Sequence, residues 1–237
     1  SMQNLFRQFN TNDRIMFGAV HHSLAWSQFS QSDFIQIIVE QVNPRYDSFV
    51  RNMNQDPQTQ QNVKYLLNVK TFLYIDFKNN QLTLVRTNGT FSFQPNKTIL
   101  INAKLNQSEK IFESLLNHRW YEPNKIGFLF LYEELNEKNV SLVLVENKTM
   151  LNEVTVEDLP ALFSSTPSGK ELPWGKDTGG NTHILVDKPG WVFVSQMWYP
   201  HWRVNGKPVQ EAGGGLIAFY AVAPGEYKIY WERPWYD

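Results

Sequence analysis

Apolar and polar positions follow a clear short-period pattern in the last quarter of the chain. Between Asn181 and Asp237, β-branched and aromatic residues gather at Ile184–Val186, Trp191–Gln196, Gly215–Val222 and Glu226–Arg233. The turn signals Lys188-Pro189-Gly190, Asn205-Gly206 and Ala223-Pro224-Gly225 punctuate them. Short apolar runs bounded by Gly, Pro and Asn predict antiparallel strands joined by tight turns. Asn-Gly suits a two-residue hairpin because both central residues of a type I′ turn take positive φ.

The preceding part mixes periods. Residues 1–30 show weak periodicity. Phe34, Ile37, Ile38 and Val42 recur at helical spacing, with Ser32 as a cap and Asn43-Pro44 as the stop. A second short helix is predicted over Arg45–Asn54, with Tyr46, Val50 and Met53 inward, and polar Gln55–Gln61 reads as a loop. Val63–Leu67 leads into the apolar run Thr71–Phe77, which Lys78-Asn79-Asn80 can fold back onto Gln81–Arg86. Two more strands are expected at Thr90–Phe93 and Thr98–Lys104, the second with Ile99, Ile101 and Ala103 alternating onto one buried face. Asn106-Gln107-Ser108-Glu109 resembles a capping box ahead of the helical stripe Ile111, Phe112, Leu115 and Leu116. Ile126–Tyr132 and Val140–Val145 read as strands around the polar loop Glu133–Asn139, and Glu157–Phe163 as a short helix limited by Pro160.

Ser164–Asn181 is rich in Ser, Pro, Gly and Thr and reads as a linker. The expected fold class is therefore α+β. Residues 1–163 form a mixed helix and sheet region, 164–181 the linker, and 182–237 an antiparallel β-sandwich region, jelly-roll-like. Strands from 126–146 are candidates for sharing with the last region.

Composition narrows the chemistry. A length of 237 residues can bury a sizeable core as one large domain or two small ones. The formal net charge of −1 gives no electrostatic case for nucleic acid as a partner. The absence of cysteine excludes disulfides, thiol catalysis and cysteine-based zinc sites. No apolar run reaches the roughly 18–20 residues of a membrane span, and Ser1-Met2 reads as a cloning scar ahead of an internal start. Eight tryptophans fit either a β-rich core or stacking surfaces for sugars.

Motifs for catalysis are missing. Gly213-Gly214-Gly215 lacks the Lys-Ser/Thr of a phosphate loop and reads as a flexible turn. His21-His22 has no third ligand at metal spacing, so no metal and no cofactor is expected. Glycoside hydrolysis needs two carboxylates across a cleft; Asp47, Glu133, Glu134, Glu157 and Asp158 are candidates that sequence alone does not pair. No catalytic residue is assigned. The candidate saccharide-binding residues are Trp198, Tyr199, His201, Trp202 and Arg203, which combine aromatic faces with hydroxyl-directed donors. Pro200 cannot donate to a ladder, so this stretch is expected at an edge or bulge. The competing reading puts both tryptophans in the core, with Tyr199-Pro200 shaping a corner.

The order Pro189-Gly190, Trp198-Tyr199-Pro200-His201-Trp202, Asn205-Gly206-Lys207 and Pro224-Gly225-Glu226 resembles the C-terminal soluble region of the YfhO family of bacterial membrane proteins. Val63-Lys64-Tyr65-Leu66-Leu67-Asn68-Val69-Lys70 is similar to the family's Leu-Leu-x-Val-Lys-Tyr segment. His201 stands where the family usually has Gly, and the link from Trp202 to Asn205 is shorter. The resemblance implies a soluble domain on the extracytoplasmic face of the cell membrane, belonging to a polytopic glycosyltransferase-like protein that uses lipid-linked sugars. Its partners would be the parent's membrane helices and a saccharide or lipid-linked sugar. Trp235 and Tyr236 would suit the interface before a last membrane helix, and the transferase carboxylates would lie in membrane loops outside this chain. The alternatives are a self-standing β-sandwich carbohydrate-binding or adhesion module and a soluble glycosidase.

Overall fold

The computed structural model describes residues 14–17, 33–34, 57–76, 81–103, 105–130 and 140–232, with side chains from 57–70, 86–103, 107–130 and 140–232. The His21-His22 pair, Asp47, the Arg45–Asn54 helix, the Glu133–Asn139 loop with Glu133 and Glu134, and Trp235-Tyr236 lie outside the described residues. The fold is mostly β with few helices, which fits an α+β or β-rich class.

A four-stranded sheet has the order β2-β1-β3-β4, from β1 (Arg14–Phe17), β2 (Asp33–Phe34), β3 (Val69–Asp76) and β4 (Gln81–Arg86). β3 and β4 pair antiparallel from Thr71↔Arg86 to Asp76↔Gln81, which is the hairpin the sequence predicts. Asp33 and Phe34 pair in parallel with β1, where helical spacing puts the first turn of a helix.

A nine-stranded sheet follows. Its strands are β5 (Ser92–Gln94), β6 (Lys97–Asn102), β7 (Ile126–Phe130), β8 (Ser141–Glu146), β9 (Thr149–Val154), β10 (Lys170–Glu171), β13 (Gly190–Met197), β16 (Gln210–Ala212) and β17 (Leu216–Ala221). The order is β10-β5-β13-β17-β16-β7-β6-β8-β9. A five-stranded sheet, β11-β12-β18-β14-β15, comprises β11 (Trp174–Lys176), β12 (Thr182–Val186), β14 (Trp202–Val204), β15 (Lys207–Pro208) and β18 (Gly225–Trp231). Residues 164–181 thus contribute one short strand to each of these two sheets, and the large sheet takes strands from both sides of that segment.

Alternation explains why β13 and β17 read as continuous apolar runs. Phe193, Leu216 and Ala218 join one buried cluster, with residues of the helices α1 (Pro57–Leu66), α2 (Leu105–Leu116) and α3 (Leu159–Ser165). Val192, Val194, Ile217, Phe219 and Ala221 join a second, with Ile184, Val186, Val204, Tyr227 and Ile229 of the five-stranded sheet. Both faces of these strands are dry, so polar alternation disappears.

Helix α1 corrects the loop expected over Gln55–Gln61. Its buried face is Thr59, Asn62, Val63 and Leu66, at helical spacing but half polar. Asn62 Nδ2 donates to the Leu116 carbonyl at 2.9 Å, and Thr59 Oγ1 donates to Asn117 Oδ1 at the end of α2. These bonds take up groups at the helix C-terminus that would otherwise lack partners. Pro160 starts α3, at its first turn, instead of limiting it, because the missing N–H is an orphan there anyway.

Candidate functional site

The site is built around a gap in the nine-stranded sheet. β16 pairs with β17 only from Ala212↔Leu216 to Gln210↔Ala218, so Phe219 and Tyr220 run on past its end. β16 in turn meets β7 only at Ala212↔Leu129. A cavity of about 320 Å³ opens there, and its floor includes Leu100, Leu129, Val204 and Phe219. That is the lower end of the size range for small-molecule sites. A second void, of about 10 Å³ among Phe93, Phe112 and Phe193, holds no more than a water.

Two aromatic residues wall the large cavity. Trp191 and Tyr220 are cross-strand partners on β13 and β17, with ring centroids 5.6 Å apart and edge-to-face. The turn between β8 and β9 fixes both. Asn147 sits there at φ 57°, a conformation Asn tolerates better than most residues. Its carbonyl accepts from Trp191 Nε1 at 2.6 Å, and its Oδ1 accepts from the Tyr220 hydroxyl at 2.7 Å. The next residue, Lys148, lies with Nζ 5.8 Å from the centre of the Tyr220 ring, a cation–π placement. Lys207 and Pro208 enter from the opposite hairpin, whose turn is Asn205 at φ 46° and Gly206 at φ 81°. Gln210 Nε2 donates to the Phe130 carbonyl at 3.2 Å. The described lining contains no carboxylate and no histidine.

The aromatic run singled out from the sequence lies elsewhere. Trp198 and Trp202 pack, partly buried, against the second core cluster. Tyr199, His201 and Trp202 surround the Trp231 ring at centroid distances of 5.8, 5.4 and 5.3 Å. Arg203 donates through Nη1 to the Pro200 and Trp202 carbonyls, and its Nε meets Glu232 Oε2 at 2.7 Å. Tyr199, His201 and Trp202 therefore come together around Trp231, Trp198 turns to the second cluster instead, and Arg203 commits its Nη1 and Nε within the protein. Trp202 Nε1 is buried with no hydrogen-bond partner. Trp202→Ala is expected to lower stability by about 2 kcal/mol through lost burial, whereas Trp202→Phe stays within about 1 kcal/mol because it removes an unsatisfied donor. Urea melts of the two variants check this.

Of the described candidate carboxylates, Asp158 is occupied at the start of α3. Its Oδ2 accepts from the Thr155 backbone N–H at 3.0 Å and from the Thr155 hydroxyl at 2.8 Å, and the backbone bond first, then the hydroxyl, holds its carboxyl below the usual range. Glu157 is exposed.

A separate polar cluster brings Asp177, Asn181, His183, Glu226 and Lys228 together on the five-stranded sheet. His183 lies between Asp177 Oδ2 at 3.1 Å and Glu226 Oε1 at 2.8 Å, and Lys228 Nζ is 3.4 Å from Asp177 Oδ2. Hydrogen bonds from the Asn181 side chain, then from His183, hold the Asp177 carboxyl well below the usual carboxylate range. Because its folded pKa is depressed, the stabilisation is complete above the unfolded value of about 4 and fades as pH falls through the folded value. Wild type should therefore melt above Asp177→Asn at neutral pH, with the difference shrinking progressively below about pH 4. Thermal melts from pH 2 to 7 check the sign. No group of three or more His, Cys, Asp or Glu that could hold a metal occurs among the described residues.

Sequence reasoning missed Trp191, Tyr220, Lys148, Lys207 and Gln210 as a set. The available signals were Asn147-Lys148 and Asn205-Gly206-Lys207, two Asn-led turns each carrying a lysine. Comparison with known proteins gives no match to this chain: no family model, no curated protein and no solved structure.

Proposed function

We propose that this chain is a non-catalytic, saccharide-binding domain on the outer face of a polytopic glycosyltransferase-like membrane protein. There it helps position a lipid-linked sugar donor or a cell-envelope acceptor. The observation that carries the binding reading is the cavity of about 320 Å³ walled by Trp191 and Tyr220. A sugar presents one largely C–H face, which suits the electron-rich face of an aromatic ring. The described lining offers no pair of carboxylates, and glycoside hydrolysis in its usual form needs two. The membrane context rests on the resemblance in the segments from Pro189-Gly190 to Pro224-Gly225-Glu226. No helix among the described residues is long and apolar enough to cross a membrane, so in this reading the parent's other segments supply the anchor. The C-terminal strands then form a β-sandwich, of jelly-roll type, and share the cavity walls with Leu100, Leu129, Val145, Lys148 and Met150 from the preceding strands and the turn between β8 and β9.

The alternative is a self-standing carbohydrate-binding module, in which the same cavity, lined by residues of this chain, would bind a glycan without a membrane parent. Two measurements separate the readings. Trp191→Ala is expected to weaken glycan capture at least tenfold at a temperature where its own melt shows it still folded, since its packing on the first buried cluster and its bond to Asn147 also contribute to stability; unchanged capture in the folded variant removes the cavity as the binding site. Carbonate-washed membranes from cells making the full-length protein should retain it, and protease applied to intact protoplasts should remove it. Recovery in the soluble or wall fraction would replace the membrane reading with the self-standing module.

A further inference from the structure

We infer that the glycan held by the Trp191–Tyr220 cavity is anionic, bearing a carboxylate or phosphate group between Lys148 and Lys207. This rests on the saccharide-binding reading and names the chemical class of its ligand.

The polar atoms of the two aromatic residues are already committed, since Trp191 Nε1 and the Tyr220 hydroxyl both donate to Asn147. They therefore offer ring faces, and their polar handles serve to anchor the turn that carries Lys148. The Gln210 amide gives one N–H of its Nε2 to the Phe130 carbonyl, which leaves an uncharged N–H and the Oε1 acceptor. The charged donors in the described lining are then the ammonium groups of Lys148 and Lys207.

Neither lysine is paired with a carboxylate among the described residues. Lys125, Lys170 and Lys228 by contrast meet Glu122, Asp187 and Asp177. Nor do the two charges reflect a basic protein, because the whole chain carries a formal net charge of −1. Two exposed cations from different hairpins line a cavity whose described lining has no anion, so an anionic ligand held there meets positive charge and no opposing carboxylate. A neutral sugar would satisfy the ring faces and leave both ammonium groups in water. A uronate or phosphorylated sugar uses rings and charges together, and charge-assisted bonds are the stronger kind.

The test is a glycan array probed with the 237-residue chain, carrying neutral oligosaccharides, uronate-containing glycans and phosphorylated sugars in matched series. Wild type should prefer one of the two anionic series by roughly tenfold over its neutral counterpart, and the preference should fall as NaCl rises from 50 to 500 mM. Which anionic series is bound identifies the group. The double variant Lys148→Gln with Lys207→Gln should lose that preference with its melting temperature unchanged. Lys188→Gln, an exposed lysine outside the cavity, should keep it. Equal capture of neutral and anionic members, with Trp191→Ala reducing both, overturns the charge inference and leaves the proposed function standing. Anionic preference that survives the double variant also overturns it, by placing the charge recognition elsewhere. Capture of no glycan at all, or capture indifferent to Trp191→Ala, overturns the inference together with the reading it rests on.

Discussion

Phe112→Ala is expected to lower stability by roughly 3–5 kcal/mol, the range for emptying a buried aromatic site. Phe112 is 2% exposed on α2 and sits among Tyr121, Phe128 and Phe130, with ring centroids 6.4, 5.9 and 6.2 Å away. Two of these rings are fixed on β7, whose backbone is paired in the sheet, and the third lies in the segment before it, so they cannot collapse into the space and much of the cavity should persist. The same ring explains why the turn between β16 and β17 begins with glycine. A Cβ on Gly213 would lie 2.5 Å from the Phe112 ring, closer than real side-chain contacts allow. Gly213 N–H also donates to the Phe128 carbonyl at 2.9 Å, which fixes the turn against β7. Gly213→Ala alone should therefore cost about 1–3 kcal/mol through overpacking. In the double variant the clash disappears, and the total should fall short of the sum by at least about 1 kcal/mol. Guanidinium melts of the four proteins measure this. Strict additivity would mean that ring and turn do not meet.

That contact also shows which parts of the molecule were legible beforehand. The stripe Ile111, Phe112, Leu115 and Leu116 announces α2, because its buried positions are all apolar and recur at helical spacing. Strands β13 and β17 announce themselves through apolar runs bounded by Pro189-Gly190, Gly213-Gly214-Gly215 and Pro224-Gly225. Glycines with φ of 151°, 77°, 65° and 150° at positions 190, 214, 215 and 225 show why these turns need that residue. The glycine run reads as a flexible turn, yet all three glycines are buried, with Gly213 against Phe112. Helix α1 escaped because Thr59 and Asn62 form half of its buried face, and a pattern of apolar positions is blind to buried amides and hydroxyls. Strand β9 escaped for the opposite reason. From Thr149 to Glu153 it is exposed on both faces, so nothing forces its residues to alternate.

The candidate site was the least legible feature, and the reason is topological. Trp198, Tyr199, His201 and Trp202 draw attention because they are nearly contiguous, but contiguity on a strand edge sends side chains in opposite directions. Trp198 and Trp202 reach the core, and Tyr199, His201 and Trp202 gather on Trp231. Lys148, Trp191 and Tyr220 become neighbours through the Trp191↔Tyr220 register and the Asn147 bonds, and Lys207 joins the lining from the β14–β15 hairpin of the other sheet. Neither the register nor those bonds are written in local sequence. Fold class depends on short-range periodicity, whereas this cavity depends on where β16 stops pairing with β17.

The segment 164–181 offers the sharpest contrast between composition and packing, and Gly169→Ala measures it. In a flexible linker, replacing Gly by Ala stabilises by about 0.4–1 kcal/mol, because the unfolded chain loses freedom. Gly169 is not in that situation. A Cβ there would lie 2.3 Å from the Gln94 carbonyl oxygen, 2.5 Å from the Asn124 carbonyl oxygen and 2.7 Å from Pro95 Cα, all backbone atoms. Its N–H donates to the Asn124 carbonyl at 2.8 Å, and Asn96 Nδ2 donates to the Ser168 carbonyl at 2.8 Å. Immediately after β10, Leu172 is 4% exposed, and its N–H donates to the Ser92 carbonyl at 2.9 Å. Accommodating a methyl group would push the segment off β5 and strain or break these bonds, so a loss of roughly 3 kcal/mol is expected, the upper part of the overpacking range. Gly175 supplies the internal control. It lies in the same segment, a Cβ there meets nothing within 4 Å, and Gly175→Ala should be neutral or stabilising by up to about 1 kcal/mol. Urea melts combined with limited proteolysis across 164–181 read both variants. Opposite signs mean that this segment fastens the two larger sheets together and that the cavity walls depend on it. Equal tolerance of both substitutions would make it a true linker between separable domains, and residues 182–237 would then be expected to fold alone.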